Sequence, residues 1–146
     1  MIERERNLSI AIGTDLVKIS RIGKAYCRWG EGFLKRVYTE GEREYLARTQ
    51  NENLLISELA ARFAGKEAVA KLLGTGLKIL GSKTEGGVGW KEIEILNESL
   101  GKPFVKLYGR AEEAASEKGI FSLDISLTHD GDFAQAMAAA LALKSV

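Results

Sequence analysis

Two carboxylates and one lysine are the residues of this sequence best suited to chemistry. Asp15 follows Gly-Thr near the middle or end of a predicted strand, where aspartate is disfavoured. Glu67 and Lys71 lie one turn apart in a predicted helix and share a stripe with Phe63. Because Mg²⁺ binds proteins through one or two carboxylates together with substrate phosphates, Asp15 and Glu67 form a candidate magnesium site.

A simpler interpretation stays open for each feature of the predicted helix. Glu67 and Lys71 can form an ordinary surface ion pair, worth about 0.2–0.5 kcal/mol. Gly65 costs a helix interior about 0.8–1 kcal/mol relative to alanine, which is easier to understand if another backbone packs closely there. The tripeptide Gly74-Thr75-Gly76 ends the helix, and its amides either serve only that stop or form a nest for a phosphate.

Other chemistries lack the residues or the spacing that they need. One cysteine, Cys27, and one histidine, His129, cannot supply a Cys/His metal set. Segment 76–83 resembles a P-loop only superficially, since it ends in Ser-Lys and follows a helix, and GTGLKI lacks the third glycine of a dinucleotide fingerprint. His129 follows a predicted strand, where a histidine is more often a surface residue than a ligand. A Ser-His-Asp triad is not excluded by counting, but no nucleophile elbow is present.

The charges are unevenly distributed along the chain, although the net charge is only +1. Residues 18–36 carry six basic side chains against Glu31 alone, a local charge of +5. Residues 37–59 carry two basic and five acidic side chains, a local charge of −3. A basic block on a nearly neutral protein indicates either an acidic partner that docks at one place or a solvated helix face.

The composition is that of an ordinary soluble globular protein, with 45% hydrophobic and 28% charged residues. One domain over residues 1–146 is expected. The N-terminal MIERERNLS lacks the apolar stretch of a secretory signal, and the run FAQAMAAALAL is too short to cross a bilayer. A cytoplasmic location is expected, and the single cysteine agrees with a reducing compartment.

Periodicity and capping signals predict the elements that position the candidate residues. We expect strands at 8–19, 90–96, 104–109 and 121–129, one helix and a turn within 20–38, and helices at about 40–48, 58–73 and 110–119. Thr39 and Glu42 predict a capping box, and Ser57 is the predicted N-cap of the helix that carries Glu67. Segment 133–143 is ambiguous, because its alanines favour a helix whereas the preceding strand and DGD turn favour a hairpin partner. The order of elements predicts an α+β fold with an antiparallel sheet.

Four segments in order resemble the blocks of bacterial holo-[acyl-carrier-protein] synthases, the small 4′-phosphopantetheinyl transferases. These segments are IGTDLVKISRI at 12–22, RFAGKEAVAKLLGTG at 62–76, IEILNESLGKPFVKL at 93–107 and ISLTHDGDFAQA at 125–136. The sequence departs from the family in about seven extra N-terminal residues, a longer glycine loop at 81–89, and Phe133 where tyrosine is frequent. The resemblance spans nearly the whole chain, and it implies a mainly antiparallel sheet packed against a long central helix, with 133–143 as a strand.

The resemblance also implies a reaction and a role for each candidate residue. Such enzymes move 4′-phosphopantetheine from coenzyme A to a serine of apo acyl carrier protein, release adenosine 3′,5′-bisphosphate and support fatty acid biosynthesis. By the match, Asp15 and Glu67 would hold Mg²⁺, Lys71 would neutralise phosphate oxygens, and Gly74, Thr75 and Gly76 would border the nucleotide. His129 would lie near the coenzyme A phosphates, and either Glu67 or His129 would accept the serine proton.

The implied partners are the acyl carrier protein, coenzyme A and further copies of the chain. The resemblance implies a homotrimer with a coenzyme site at each subunit interface. Arg21, Lys24 and Arg28 on the first helix would meet the acidic carrier protein, and no nucleic acid or membrane is expected. Two rival functions remain from the residues themselves: a Mg²⁺-dependent phosphoesterase that acts on a nucleotide, and a catalytically silent subunit that binds the carrier protein.

Overall fold

The computed structural model describes residues 6–78 and 86–145, so most of the glycine-rich loop predicted at 81–89 lies outside the described residues. Along the chain the elements are β1 Arg6–Lys18, α1 Ile19–Trp29, α2 Glu31–Val37, α3 Glu40–Leu46, α4 Glu52–Leu73, a 3₁₀ turn Trp90–Glu92, β2 Ile93–Asn97, β3 Pro103–Leu107, α5 Gly109–Glu117, β4 Ile120–Asp130 and β5 Phe133–Ser145. The α+β class and the antiparallel sheet are confirmed.

The described strands form two antiparallel sheets. The three-stranded sheet has the order β1-β5-β4, so the C-terminal strand lies between the other two, and β2 and β3 form a separate hairpin. Segment 133–143 is therefore a strand, as the resemblance implies, despite its alanine content. Every second residue of β5 from 134 to 142 is a buried alanine. These small side chains let a helix lie close against the sheet, and that packing outweighs the helix propensity of alanine.

The long helix α4 packs against this sheet and forms the centre of the core. The closest approach to a backbone is at Gly13 of β1, where an added Cβ would lie 2.0 Å from the carbonyl oxygen of Ala68. At Gly65 an added Cβ would instead meet side chains, first Ile95 Cδ1 at 2.5 Å. The expectation of a close backbone at Gly65 is therefore wrong, because this glycine makes room for branched side chains of the two sheets.

The boundaries of three elements differ from the predictions. Residues 20–38 hold two helices rather than one, because the chain turns at Gly30 with a φ of 50°. Helix α4 begins six residues earlier than predicted, since Asn51 accepts a hydrogen bond from the Leu54 amide whereas the Ser57 hydroxyl donates within the helix to the Asn53 carbonyl. The strand predicted from Trp90 begins as a 3₁₀ turn. Both hydrogen bonds of the capping box at Thr39 are present, as predicted.

No helix among residues 6–78 and 86–145 is long and apolar enough to span a membrane.

Candidate active site

Strand β1 and helix α4 bring the predicted metal ligands together. Asp15 lies on the face of β1 that also carries the buried Gly13 and Val17, which is the face turned to α4. Glu67 is half-buried on α4, and Lys71 is exposed one turn further along. The Lys71 ammonium donates to Asp15 Oδ1 at 3.1 Å and to the Thr14 carbonyl at 2.9 Å. The lysine thus ties α4 to β1, and the interpretation of a Glu67–Lys71 surface pair is wrong.

The electrostatics of this cluster favour a bound cation. Burial raises the pKa of the Glu67 carboxyl, and the neighbouring Asp15 carboxylate raises it further, whereas Lys71 and Arg21 act in the opposite direction. Two oxygen-donor carboxylates that repel one another match the donor set that Mg²⁺ uses beside a phosphate substrate. Three clustered acidic, histidine or cysteine ligands occur nowhere in the described parts of the chain. The residues therefore fit a metal held by two protein ligands and completed by substrate or water.

Helix α1 contributes Arg21 to the edge of the same cluster. Its guanidinium carbon lies 5.7 Å from the centroid of the Phe63 ring, one turn of α4 before Glu67. This distance is within the range of a cation–π contact. Arg21 also lowers the pKa of Glu67, so its charge acts on the carboxylate pair. The structure therefore separates Arg21, which reaches the cluster, from the other basic residues of α1.

A groove of about 840 Å³ opens beside Arg21, between α1, α2 and α4. Its walls are basic: they include Lys18, Lys24, Arg28 and Arg36. Its floor is apolar and includes the buried side chains of Ile22, Phe33 and Phe63. Most of the basic block found in residues 18–36 therefore lines one groove, which adjoins the carboxylate cluster.

The turn after α4 has a different chemistry from the predicted phosphate nest. Gly74 and Gly76 have φ angles of 74° and 66°, which end the helix in the left-handed region. The amides of Thr75 and Gly76 point back to the Ala70 carbonyl, at 3.2 and 3.4 Å. The amides are thus occupied by the helix end, and the nest interpretation is wrong. The Thr75 hydroxyl is buried and has no hydrogen-bond partner among the described residues.

His129 lies apart from the carboxylate pair within one chain. On β4 it faces Ala134 of β5, whose other neighbour is Val17, whereas Asp15 faces Ala136. Strand β5 therefore lies between His129 on β4 and Asp15 on β1. Both side chains nevertheless belong to the face of the sheet that is turned to α4. The histidine is exposed near the end of the edge strand.

A second charged cluster, not anticipated from the sequence, lies deeper against α4. The Lys66 ammonium donates to Glu42 Oε1 at 2.6 Å and to the carbonyls of Trp90 and Ile93 at 2.9 and 2.6 Å. Glu42 accepts in turn from the amides of Thr39 and Ile95. Burial lowers the pKa of Lys66, and the Glu42 carboxylate opposes that shift. No local sequence signal marks this cluster, since the immediate neighbours of Lys66 are Gly65 and Glu67.

Among residues 6–78 and 86–145, no element covers one face of the three-stranded sheet. We call it the open face, meaning the residues of β1 and β5 that point away from α4. Its large apolar members are exposed: Leu8, Ile10, Ile12, Leu16, Phe133, Met137, Leu141 and Leu143. Ile10 and Ile12 have exposed fractions of 73% and 68%, which is unusual for isoleucine. Such a contiguous apolar surface is typical of a protein interface.

Comparison with known proteins assigns the chain to a family. The sequence model of the 4′-phosphopantetheinyl transferase superfamily matches residues 11–138. Holo-[acyl-carrier-protein] synthase from Herpetosiphon aurantiacus is 44% identical over 123 residues, covering 84% of this chain and 91% of the relative. The enzyme of the same name from Caldanaerobacter subterraneus is 38% identical over 134 residues, covering 92% and 96%.

Solved structures agree with the sequence comparison. Holo-[acyl-carrier-protein] synthase from Neisseria meningitidis superposes with a TM-score of 0.74 at 30% identity, covering 89% of this chain and 96% of that one. The Helicobacter pylori enzyme in complex with coenzyme A superposes with a TM-score of 0.69 at 30% identity, covering 88% of this chain and 98% of that one. The chain therefore belongs to the 4′-phosphopantetheinyl transferase superfamily, among the holo-[acyl-carrier-protein] synthases.

Proposed function

We propose that this chain transfers 4′-phosphopantetheine from coenzyme A to a serine of apo acyl carrier protein, with the cluster of Asp15, Glu67 and Lys71 at the reacting phosphate. The observation that carries this assignment is the convergence of two carboxylates and a lysine from β1 and α4. The relatives are named for this activity. Supplying holo carrier protein for fatty acid biosynthesis in the cytoplasm is the corresponding role.

Asp15 and Glu67 are the residues that would hold Mg²⁺ in this proposal. The metal supplies charge neutralisation at the pyrophosphate of coenzyme A. Lys71 is placed to share that role, because its exposed ammonium contacts Asp15 and lies at the mouth of the cluster. Thr75, whose hydroxyl has no partner among the described residues, and the small glycines beside it are proposed to border the nucleotide.

The transfer forms one bond and breaks one. The serine hydroxyl oxygen attacks the phosphorus that bears the pantetheine arm, and the bond from that phosphorus to the leaving adenosine 3′,5′-bisphosphate breaks. The serine proton passes to a base. Glu67, directly or through water, and His129 are the two candidates among the residues of this chain.

A homotrimer with sites at its subunit interfaces is part of the proposal. The open face supports it, because three copies that pack through this face would remove its isoleucines and leucines from water. The separation of His129 from Asp15 also supports it, since a site shared between copies need not assemble within one chain. Light scattering of the Ile10→Glu/Met137→Glu variant should give a monomer, with exposed Glu113→Lys on α5 as a control that leaves the mass unchanged.

The basic groove is proposed to receive the acidic carrier protein. Lys24 and Arg28 line its wall, and Arg21 connects it to the carboxylate cluster. A surface of this charge attracts an acidic partner and directs its serine toward the reacting phosphate. The apolar floor offers a complementary surface to non-polar side chains of the carrier.

One assay with two readouts separates the proposal from its rivals. Apo carrier protein is incubated with coenzyme A, Mg²⁺ and the trimer, and both the carrier mass and the released nucleotide are measured. Transfer predicts one phosphopantetheine gained per adenosine 3′,5′-bisphosphate released. Nucleotide release without a gain of carrier mass would identify a phosphoesterase, and carrier binding without either product would identify a silent subunit.

A further inference from the structure

We propose that Trp90 is a positioning residue that holds two parts of the active site in register: Arg21 at the carboxylate cluster and the chain after Gly76 at the nucleotide turn. This inference rests on the proposed function, because it assigns those two parts to carrier protein and coenzyme A. Trp90 lies in the 3₁₀ turn before β2 and is buried, with 7% of its surface exposed.

The first link is a stack of three side chains. The indole of Trp90 lies on the Phe63 ring with the centroids 4.5 Å apart and the planes inclined by 30°. The Arg21 guanidinium lies 5.7 Å from the centroid of the same Phe63 ring. The indole therefore fixes the orientation of the phenyl ring on which the arginine rests. Since Phe63 precedes Glu67 by one turn of α4, this stack sets where the arginine charge stands relative to the carboxylate.

The second link is a chain of hydrogen bonds that reaches the nucleotide turn. The indole Nε1 donates to the Lys78 carbonyl at 2.8 Å. The Lys78 amide donates to the Val88 carbonyl at 2.9 Å, and the Val88 amide donates to the Gly76 carbonyl at 3.0 Å. The indole N–H thus anchors the two backbone segments on either side of residues 79–85. Those segments hold Gly76, the last residue of the proposed nucleotide border.

The backbone of Trp90 is held independently of its ring. Its carbonyl accepts a hydrogen bond from the buried Lys66 ammonium at 2.9 Å, which fixes the turn against α4. A change of the ring therefore leaves the turn in place and tests the ring alone. The two links are also separable, because one depends on the aromatic faces and the other on the indole N–H.

Two variants break the links one at a time. Trp90→Phe keeps an aromatic ring against Phe63 but loses the donor to Lys78, so the KM for coenzyme A should rise about 3- to 10-fold, the effect of one lost hydrogen bond, with little change in the KM for carrier protein. Phe63→Leu keeps the indole N–H but removes the ring under Arg21. The KM for carrier protein should rise about 2- to 5-fold, the effect of one cation–π contact, with little change in the KM for coenzyme A.

Hydrogen exchange gives a readout that does not depend on turnover. The amides of Lys78 and Val88 should exchange faster in Trp90→Phe than in the wild type, and Phe63→Leu should leave them protected. If the wild type transfers no phosphopantetheine, the proposed function fails, but the exchange comparison still tests the anchor. Equal rises of both KM values in both variants, or unchanged exchange in Trp90→Phe, would show that Trp90 merely fills the core, and the inference would be overturned.

Discussion

Helix α4 carries two charged clusters that differ in what they leave unsatisfied. The buried cluster is built around Lys66, whose three ammonium donors meet Glu42 Oε1 and two backbone carbonyls. The carboxylate cluster of Asp15 and Glu67, called the open cluster below, is distinct from the open face of the sheet. In it Lys71 binds Asp15, and the pKa of Glu67 is raised. Glu67 follows Lys66 directly in the sequence, yet the two side chains enter opposite environments.

The two clusters differ in their capacity to bind a ligand. The Lys66 ammonium has as many acceptors as it has donors, so it has no capacity for a ligand. The carboxylates of the open cluster have lone pairs to spare and repel one another, so a cation that binds between them relieves the repulsion. Burial alone would select the Lys66 cluster, which has no such capacity.

The largest expected effect is the loss of turnover when the open cluster is changed. Glu67→Gln and Asp15→Asn should each lower kcat by about 10²- to 10³-fold, as the loss of one preorganised electrostatic group does in other enzymes. Their melting temperatures should stay near that of the wild type. Asp124→Asn is a matched control, because this exposed carboxylate binds the Lys102 ammonium and the Ile125 amide, away from the cluster, and should leave kcat unchanged. Near wild-type rates in both site variants would refute the site assignment.

The next largest effect is the loss of stability when the buried cluster around Lys66 is changed. Lys66→Met should lower the free energy of unfolding by about 3–5 kcal/mol, because it leaves Glu42 buried without its counter-charge. Urea titration measures this loss. The double variant Lys66→Met/Glu42→Leu should recover part of it, since the unpaired charge is then removed as well. If the double variant is no more stable than the single one, the loss comes from packing rather than from charge.

A smaller effect is the pH dependence of stability without metal. The pKa of Glu67 is raised in the folded chain, so between its unfolded and folded values the folded chain binds more protons. The free energy of unfolding should therefore fall as the pH rises through that window. Thermal melts from about pH 4 to about pH 8 should show this fall in the wild type and a smaller one in Glu67→Gln.

At pH values above the folded pKa of Glu67, Mg²⁺ should raise the melting temperature of the wild type and leave that of Glu67→Gln unchanged. Equal pH profiles of the two proteins without metal would mean that Glu67 titrates in the folded state as it does in the unfolded chain.

The smallest effect separates two arginines of the same helix. Arg28→Glu should raise the KM for carrier protein about 3- to 10-fold and flatten its salt dependence, with little change for coenzyme A, because Arg28 lines only the groove. Arg21→Glu should in addition lower kcat, because its charge acts on Glu67. Steady-state kinetics at low and high salt would measure both. If kcat, KM and salt dependence were the same in the two variants, Arg21 would act only through the groove, as Arg28 does, and not on the carboxylate cluster.

Local patterns predicted most of the elements, and the errors have physical causes. The capping box at Thr39 and the alternation of β1 and β4 are local signals, and all three elements formed as expected. The start of α4 was misplaced because Asn51 and Ser57 are both good caps, and the earlier one adds a further turn of helix. In β5 the alternation of inward and outward side chains was not visible in the sequence, because Ala139 on the outer face lies between the inward-facing Ala138 and Ala140.

The residue types of the candidate site could be read from the sequence, but the contacts that the structure shows there could not. Asp15 and Glu67 stood out because carboxylates are unusual in a strand and in an apolar helix stripe. The pairing of Lys71 with Asp15 spans 56 residues, and the pairing of Lys66 with Glu42 spans 24. Only the packing of β1, α3 and α4 decides such contacts, so no local pattern indicates which lysine is buried.

The most direct test of the central claim measures the mass of apo carrier protein after incubation with coenzyme A. Three reactions are compared: the wild type with Mg²⁺, the wild type with a chelator, and Glu67→Gln with Mg²⁺. We expect the carrier protein to gain one phosphopantetheine in the first reaction and almost none in the other two. Equal modification by Glu67→Gln, or transfer that persists without any divalent cation, would contradict the claim that the open cluster on α4 is the active site.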